Sequence, residues 1–428
     1  MKLPQRSSIY LTFCLLILAP LFFINFANNQ FSIIGKHWFS TWQSDSSALV
    51  IGRLIENERN GLFSHSGFMG RANEWPTQLD DYKKGKDIAF NLYTGNANFQ
   101  SAFYVLAQHV FNATTIEDTI KLSNNINTCM LIMLCFVFLY WVFYEFGMLA
   151  FITTTCSFFF SSWIIVSARE LYWIVWTMLL PSIAVLYCMY IEEKNGKNYE
   201  KRLYLLVFIT VFMRSLCGYE FLSTILITMT LPFFYYSLKN KHSKRKILRR
   251  LCFIVLFSLF AFLFALLTHF FLLYIEFGST QSALIQIVNR ISYRTGLLGS
   301  SGVEEIYKKS LEASFYSIVR TYLSDGHPLY GALRLSKIFI FFSSFLLVGM
   351  LLYAKNRKDT KLVALIAIFF ISFCAHLSWI FLARGHAYIH THINYLLWTT
   401  SLFLPFFAVL IGYIAQYLIV ELFRISRV

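Results

Sequence analysis

Apolar positions along this chain gather in long runs. They show neither the two-residue alternation of half-buried strands nor the narrow stripe of a soluble amphipathic helix. Ten such runs stand out, at residues 9–27, 125–145, 148–166, 172–191, 203–217, 220–237, 251–275, 336–354, 362–382 and 395–419. A helix of about 20 apolar residues crosses roughly 30 Å of hydrocarbon with its backbone hydrogen bonds satisfied internally. The pattern therefore predicts an all-α integral membrane protein of about ten transmembrane helices. The run at 203–217 is the shortest and carries Arg214 near its end. The first run ends in "LFFINFANNQ", which lacks the small residues of a signal-peptide cleavage site and reads as a retained anchor.

Two long segments separate the runs, residues 28–124 and 276–335. In "DSSALVIGRLIENERNGLF", Ala48, Ile51, Leu54 and Ile55 recur at helical spacing, with a cap expected at Asp45/Ser46 and a stop at Gly61. "FQSAFYVLAQHVF" is too short to span and suits a helix lying in the interface. In the second segment, "SALIQIVNRISYR" and "VEEIYKKSLEASFYSIVRTYL" read as amphipathic helices. No internal repeat or Pro-rich linker interrupts the chain, so residues 1–428 form one membrane domain, with amphipathic helices in two outer loops.

Composition agrees with the run pattern, since 57% of residues are hydrophobic and only 14% are charged. The formal net charge of +15 is unevenly placed and sets the topology. Nineteen Lys and Arg fall in residues 1–8, 192–202, 238–250, 355–361 and 420–428, against one each at Arg169, Arg214 and Arg384 in the short opposite turns. The positive-inside rule then puts both termini in the cytoplasm and 28–124 and 276–335 outside. "KNKHSKRKILRR" abuts an apolar run, as a membrane-surface anchor does, and is not read as a nucleic-acid patch. The eight cysteines show no spacing of a disulfide framework or zinc motif.

Candidate chemistry clusters at the outer turns: Arg169 and Glu170 in "SARELYW", Tyr219 and Glu220 after Arg214 in "RSLCGYEF", and Arg384, His386, His390 and His392 in "ARGHAYIHTHINYLLW". A charge at membrane depth costs about 2.5–3.5 kcal/mol on insertion scales, so such residues face a bundle interior or a wet cavity. Several turns carrying them point to one shared cavity. Arg384 offers a planar fork to phosphate oxygens and the histidines readily gain protons beside an anion, so "RGHAYIHTH" reads as a phosphate-binding loop.

An N-terminal span, an outer loop opening on Asp45 in "DSSALVIGRLIENERNGLF", and a multi-span core with functional outer turns together resemble the GT-C superfamily of membrane glycosyltransferases. "SARELYW", "CGYEF" and "GHAYIHTHINY" look like motifs of a bacterial branch. The resemblance implies transfer of a sugar from a polyprenyl-phosphate carrier to a glycan or lipid-linked acceptor, such as O-antigen or another lipopolysaccharide glycan. It implies inversion at the sugar and a periplasmic site in the bacterial inner membrane. It also implies Asp45 as the acceptor base. Glu170 and Glu220 would orient sugar hydroxyls or hold a divalent cation, and Arg169, Arg214, Tyr219, Arg384, His386, His390 and His392 would bind substrate or phosphate. The superfamily often has a second acid soon after the first. Here Ser46 follows Asp45, leaving Glu170 or Glu220 for that place. A glycan polymerase, a lipid-linked sugar flippase and a secondary transporter are the competing readings. A flippase would need polar residues through the membrane depth, and a transporter would show inverted repeats.

The topology is testable by single-cysteine labelling on a Cys-free background. Ser66, Ser301 and Ala387 should label from outside, and Ser243 and Asp359 only after permeabilisation. Labelling of Ser243 in intact cells would overturn the arrangement.

Overall fold

The computed structural model describes residues 5–295, 305–324, 328–330, 333–355, 359–383, 387–388 and 390–425. Five helices among them are long and apolar enough to cross a membrane: Ile9–Asn28, Ile116–Phe146, Lys244–Phe277, Thr360–Leu382 and Phe403–Val420. The ten predicted runs are largely helical but not all continuous, and the run at 172–191 is helical only from Trp176 onward. The run at 148–166 divides into Met148–Phe159 and Ser162–Ser167, with Ser161 accepting from the backbone of Ile164 to restart the helix. The run at 220–237 divides into Leu222–Met229 and Leu231–Lys239, with Pro232 in the first turn of the second. Proline fits there because its missing N–H has no intrahelical partner to lose. The last run divides after Leu397–Thr400, where Leu402 takes a left-handed φ of 58°.

The helices pack side by side, Glu200–Cys217 on Lys244–Phe277, Met148–Phe159 on Phe403–Ile425, and Leu231–Lys239 on Thr360–Leu382. At the end carrying the basic loops they are tied by charge. Glu145 accepts from Lys239 at 2.6 Å, Lys361 at 3.1 Å and the Tyr235 hydroxyl at 2.7 Å. The opposite end carries the long loops.

In the first loop, Ser44–Asn60 forms the predicted helix and ends at Gly61. It starts one residue before the expected cap, because Gln43 turns the chain with a left-handed φ of 53°, and Asp45 sits in the first turn. The run Phe99–Val110 is also helical. An antiparallel hairpin pairs Met69–Ala72 with Phe90–Tyr93, a small departure from the all-α expectation. Helix Ser44–Asn60 lies directly on this hairpin. A Cβ at Gly52 would come 2.2 Å from the Gly70 carbonyl oxygen, so the close approach requires glycine. In the second loop "SALIQIVNRISYR" lies within helix Thr280–Thr295. The following amphipathic stretch divides into Glu305–Glu312 and Phe315–Ser324, where the Ser314 hydroxyl accepts from Ser317 N at 3.1 Å.

The structural centre of the loop end is the non-helical stretch of residues 168–175, nearly all of it buried. Buried carbonyls outside a helix need donors, since water is not there to supply them. Four successive carbonyls are met by side chains from elsewhere. Asn127 donates to Glu170 O at 3.0 Å, Tyr104 to Leu171 O at 3.0 Å, Gln100 to Tyr172 O at 3.2 Å, and Arg214 to Trp173 O at 3.4 Å.

Asn127 is the hub, because it also donates to Tyr104 Oη at 2.7 Å and accepts from Trp176 Nε1 at 3.1 Å. Asn127→Leu leaves the Glu170 carbonyl and the Trp176 N–H buried without partners, at about 1–3 kcal/mol each. Its thermal midpoint in detergent should fall by several degrees, while Asn125→Leu on the half-buried neighbouring position should leave the melt near wild type.

Candidate functional site

The turn at 168–175 delivers Arg169 and Glu170 to the loop end, and the first-loop helix meets them there. The Trp173 indole donates to Gln43 Oε1 at 3.1 Å, and Ser46 Oγ donates to the same oxygen at 2.9 Å. This bond pins the start of helix Ser44–Asn60 to the turn. The Ser47 hydroxyl then donates to Glu170 Oε1. Asp45 is exposed at the mouth, near enough for its negative charge to act on both Glu170 and His390.

The two carboxyls thus sit in different surroundings. Glu170 is only 7% exposed, and burial pushes its carboxyl up to about 7. Asp45 pushes in the same direction, while Ser47, the Tyr172 backbone N–H and Arg169 oppose. Carboxyl pairs held in unlike environments are how sites divide acid and base tasks near neutral pH.

Arg169 lays its guanidinium on the Phe39 ring, 4.1 Å from the centroid, and donates through Nη2 to Phe39 O. Its Nε is buried with no hydrogen-bond partner among the described residues. His390 and His392 bring their rings to 5.5 Å, and Trp42 Nε1 donates to His392 O at 3.4 Å, tying this turn to the first loop. Burial, then His392, holds the His390 imidazole down at about 4 against the pull of Asp45. His390 is therefore neutral at pH 7. It would carry charge only once an anion arrives. Arg384 and His386 lie outside the described residues.

Other predicted residues stand apart from this cluster. Arg214 is 1% exposed, with Nη2 donating to Glu220 O at 3.0 Å and Nη1 to Trp173 O at 3.4 Å. Its observed role is to brace two turns. Glu220 is buried with Oε2 against Gly218, where a Cβ would come 2.4 Å from it and φ is 149°. Tyr219 lines a separate, mostly apolar cavity of about 380 Å³ with His269, Arg290, Trp379 and Ala383. Its hydroxyl is 3.1 Å from His269 Nδ1. The Arg290 guanidinium covers the Tyr93 ring at 5.1 Å, and Tyr93 Oη bonds Tyr172 Oη at 2.9 Å, so this cavity borders the Glu170 turn. Ala383 directly precedes Arg384.

Sequence reasoning missed Ser47, Tyr93, Tyr172, His269 and Arg290. His269 alone carried a readable signal, as an imidazole inside the apolar helix Lys244–Phe277. The others look like ordinary loop polarity until the chain folds. Among the described residues no three His, Cys, Asp or Glu side chains group closely enough to hold a metal ion. Comparison with protein-family models, curated proteins and solved structures finds no match to this chain.

The Glu170 carboxyl makes stability depend on pH in a definite direction. Its folded value of about 7 exceeds the ordinary 4.5. Between those values the unfolded chain has released the proton that the folded chain keeps, so stability falls as pH rises through this window. At about 1.4 kcal/mol per pH unit the loss is on the order of 3 kcal/mol. Between pH 5 and pH 8 the wild-type thermal midpoint should fall relative to that of Glu170→Gln, which lacks this component. Parallel pH profiles for the two proteins would refute the assignment.

Proposed function

We propose that the chain is a GT-C-type membrane glycosyltransferase. It moves a sugar from a polyprenyl-phosphate carrier to a surface glycan such as O-antigen, with inversion at the sugar. In this reading it spans the bacterial inner membrane ten times, with both termini cytoplasmic and the site facing the periplasm. The observation that carries the reading is the pair of carboxyls of unlike environment, Asp45 exposed and Glu170 buried near pH 7, held beside His390 where the long loops meet the helix ends. Donors and acceptors of this kind meet at the membrane surface, because the carrier's phosphate is polar and its prenyl tail is not.

Each group has a task in the reaction. Asp45, in the first turn of helix Ser44–Asn60, takes the proton of the acceptor hydroxyl as that oxygen attacks the anomeric carbon. The helix N-terminus favours a carboxylate at this position. The bond from the anomeric carbon to the phosphate oxygen breaks on the opposite face, and polyprenyl phosphate leaves with the electron pair. A phosphate needs no acid to depart, only donors for its developing charge. Arg169 Nε and His390 face that task, and the resemblance adds Arg384, His386 and His392. Glu170, bonded by Ser47, orients a sugar hydroxyl. The apolar cavity beside Tyr219, with Arg290 in its lining, suits the first prenyl units next to a phosphate.

A positioned general base contributes about 10² to 10⁴-fold to rate. Asp45→Asn keeps the side-chain shape and gives up only a first-turn dipole interaction of about 0.3–1 kcal/mol, so it should still fold and lose transfer by that factor. Membranes supplied with radiolabelled polyprenyl-phosphate sugars, followed by isolation of surface glycan, give the measurement. Near wild-type transfer in Asp45→Asn, with Glu170→Gln folded but inactive, would move the base to Glu170. Failure of the wild type to pass label to any acceptor would remove the enzyme reading.

A further inference from the structure

We propose a phosphate-binding site at the opposite end of the molecule, in the pocket where residues 192–200 meet the start of helix Lys244–Phe277. The pocket has a volume of about 540 Å³ and is lined by His242, Lys246 and Arg250 together with Glu192, Glu193 and Glu200. The basic run "KNKHSKRKILRR" supplies these residues, and topology accounts for its charge but not for the pocket it forms.

Two of the lining residues carry a buried nitrogen with no hydrogen-bond partner among the described residues. Arg250 is 1% exposed. Its Nε donates to Glu200 at 2.7 Å and its Nη2 pairs with Glu192 at 2.8 Å, while Nη1 is buried with no hydrogen-bond partner among the described residues. His242 Nε2 lies 3.3 Å from Lys246 Nζ. An ammonium only donates, so Nε2 accepts and the imidazole proton sits on Nδ1. Nδ1 is likewise buried without a partner among the described residues. Both groups can only donate, so the complementary ligand is an acceptor.

The nearby carboxylates do not fill that role. Glu192 and Glu200 are spent on Arg250, with Glu200 also bonding Arg249 at 2.7 Å, and Glu193 pairs with Lys239 at 2.8 Å. Lys246 has no carboxylate partner among the described residues. Helix Lys244–Phe277 also begins here, capped by Ser243, and presents the positive end of its dipole. A guanidinium N–H, an imidazole N–H, an ammonium and a helix start together suit the several oxygens of a phosphate ester better than a single chloride. Burial, then Lys246 and Arg250, holds the His242 imidazole below its usual range, a bias that a bound phosphate would reverse.

The same chemistry comes from the headgroup of an anionic phospholipid or from a soluble phosphate ester, and two arms separate them. The purified full chain in detergent is titrated with sodium pyrophosphate against sodium chloride at matched ionic strength. The same chain is compared in phosphatidylglycerol and phosphatidylcholine nanodiscs. The readout in both is the thermal midpoint. The double substitution His242→Ala with Lys246→Ala removes the site while leaving the Arg250 ion pairs, and Arg245→Ala controls for charge on the same turn. Wild type and Arg245→Ala should show a saturable response that the double variant weakens at least about tenfold, the effect expected of one charge-assisted bond. A pyrophosphate response marks a soluble ligand, and a response to phosphatidylglycerol alone marks a headgroup. No saturable response in either arm, or an equal response in the double variant, overturns the proposal.

Discussion

A stretch of irregular backbone buried at the loop end sets the terms for everything around it. Residues 168–175 leave the helical ladder while remaining almost wholly buried, so their carbonyls depend on side chains for hydrogen bonds. Asn127, Tyr104, Gln100 and Arg214 provide them, and they come from three helices: Phe99–Val110, Ile116–Phe146 and Glu200–Cys217. Satisfying this turn therefore fixes the relative positions of those helices. It also explains why a membrane-embedded bundle tolerates so many buried polar groups here. Each is one half of a bond whose loss would leave the other half stranded.

The candidate site inherits its geometry from that turn. Once the backbone of Glu170 is locked by Asn127, the Trp173 indole can hold Gln43, and Gln43 in turn fixes where helix Ser44–Asn60 starts. Ser47 and Asp45 arrive as consequences of that start. Gly52 allows the same helix to lie against the hairpin strand Met69–Ala72, closing the first loop over the turn. The burial that secures the turn is the same burial that raises the Glu170 carboxyl. Structural order and chemical tuning here have one cause.

The two ends of the molecule handle charge differently. At the basic end, lysines and arginines pair with Glu145, Glu192, Glu193 and Glu200, and these bonds join neighbouring helices. At the loop end ion pairs also occur, Lys83 with Glu117 at 2.5 Å and Lys86 with Asp81 at 2.6 Å, but around the Glu170 turn two arginines lie on rings, Arg169 on Phe39 and Arg290 on Tyr93. Neither of these two arginines forms an ion pair among the described residues, and a guanidinium on an aromatic face can still meet an anion.

By itself the sequence determined that this is a helical membrane protein, because run length and hydropathy answer to the thickness and dryness of the bilayer and to little else. It also determined that ionisable residues collect at helix ends, and it placed Glu170 and His390 among the candidates that the fold brings near Asp45. Breaks in three of the ten runs were only partly legible. Pro232 signals one, whereas the restart at Ser161 is also met by Thr399 and Leu329, distant in sequence, and the left-handed turn at Leu402 falls on a residue type that gives no signal for it. The hairpin was invisible, since four-residue strands carry too little pattern to register. The division between Glu170 and Glu220, and between a bracing Arg214 and an Arg169 with a buried Nε to offer, belongs to the tertiary structure alone. Whether a carboxyl near a membrane surface is tuned or merely buried depends on which side chains desolvate and bond it, and those come from helices that sequence order keeps far apart.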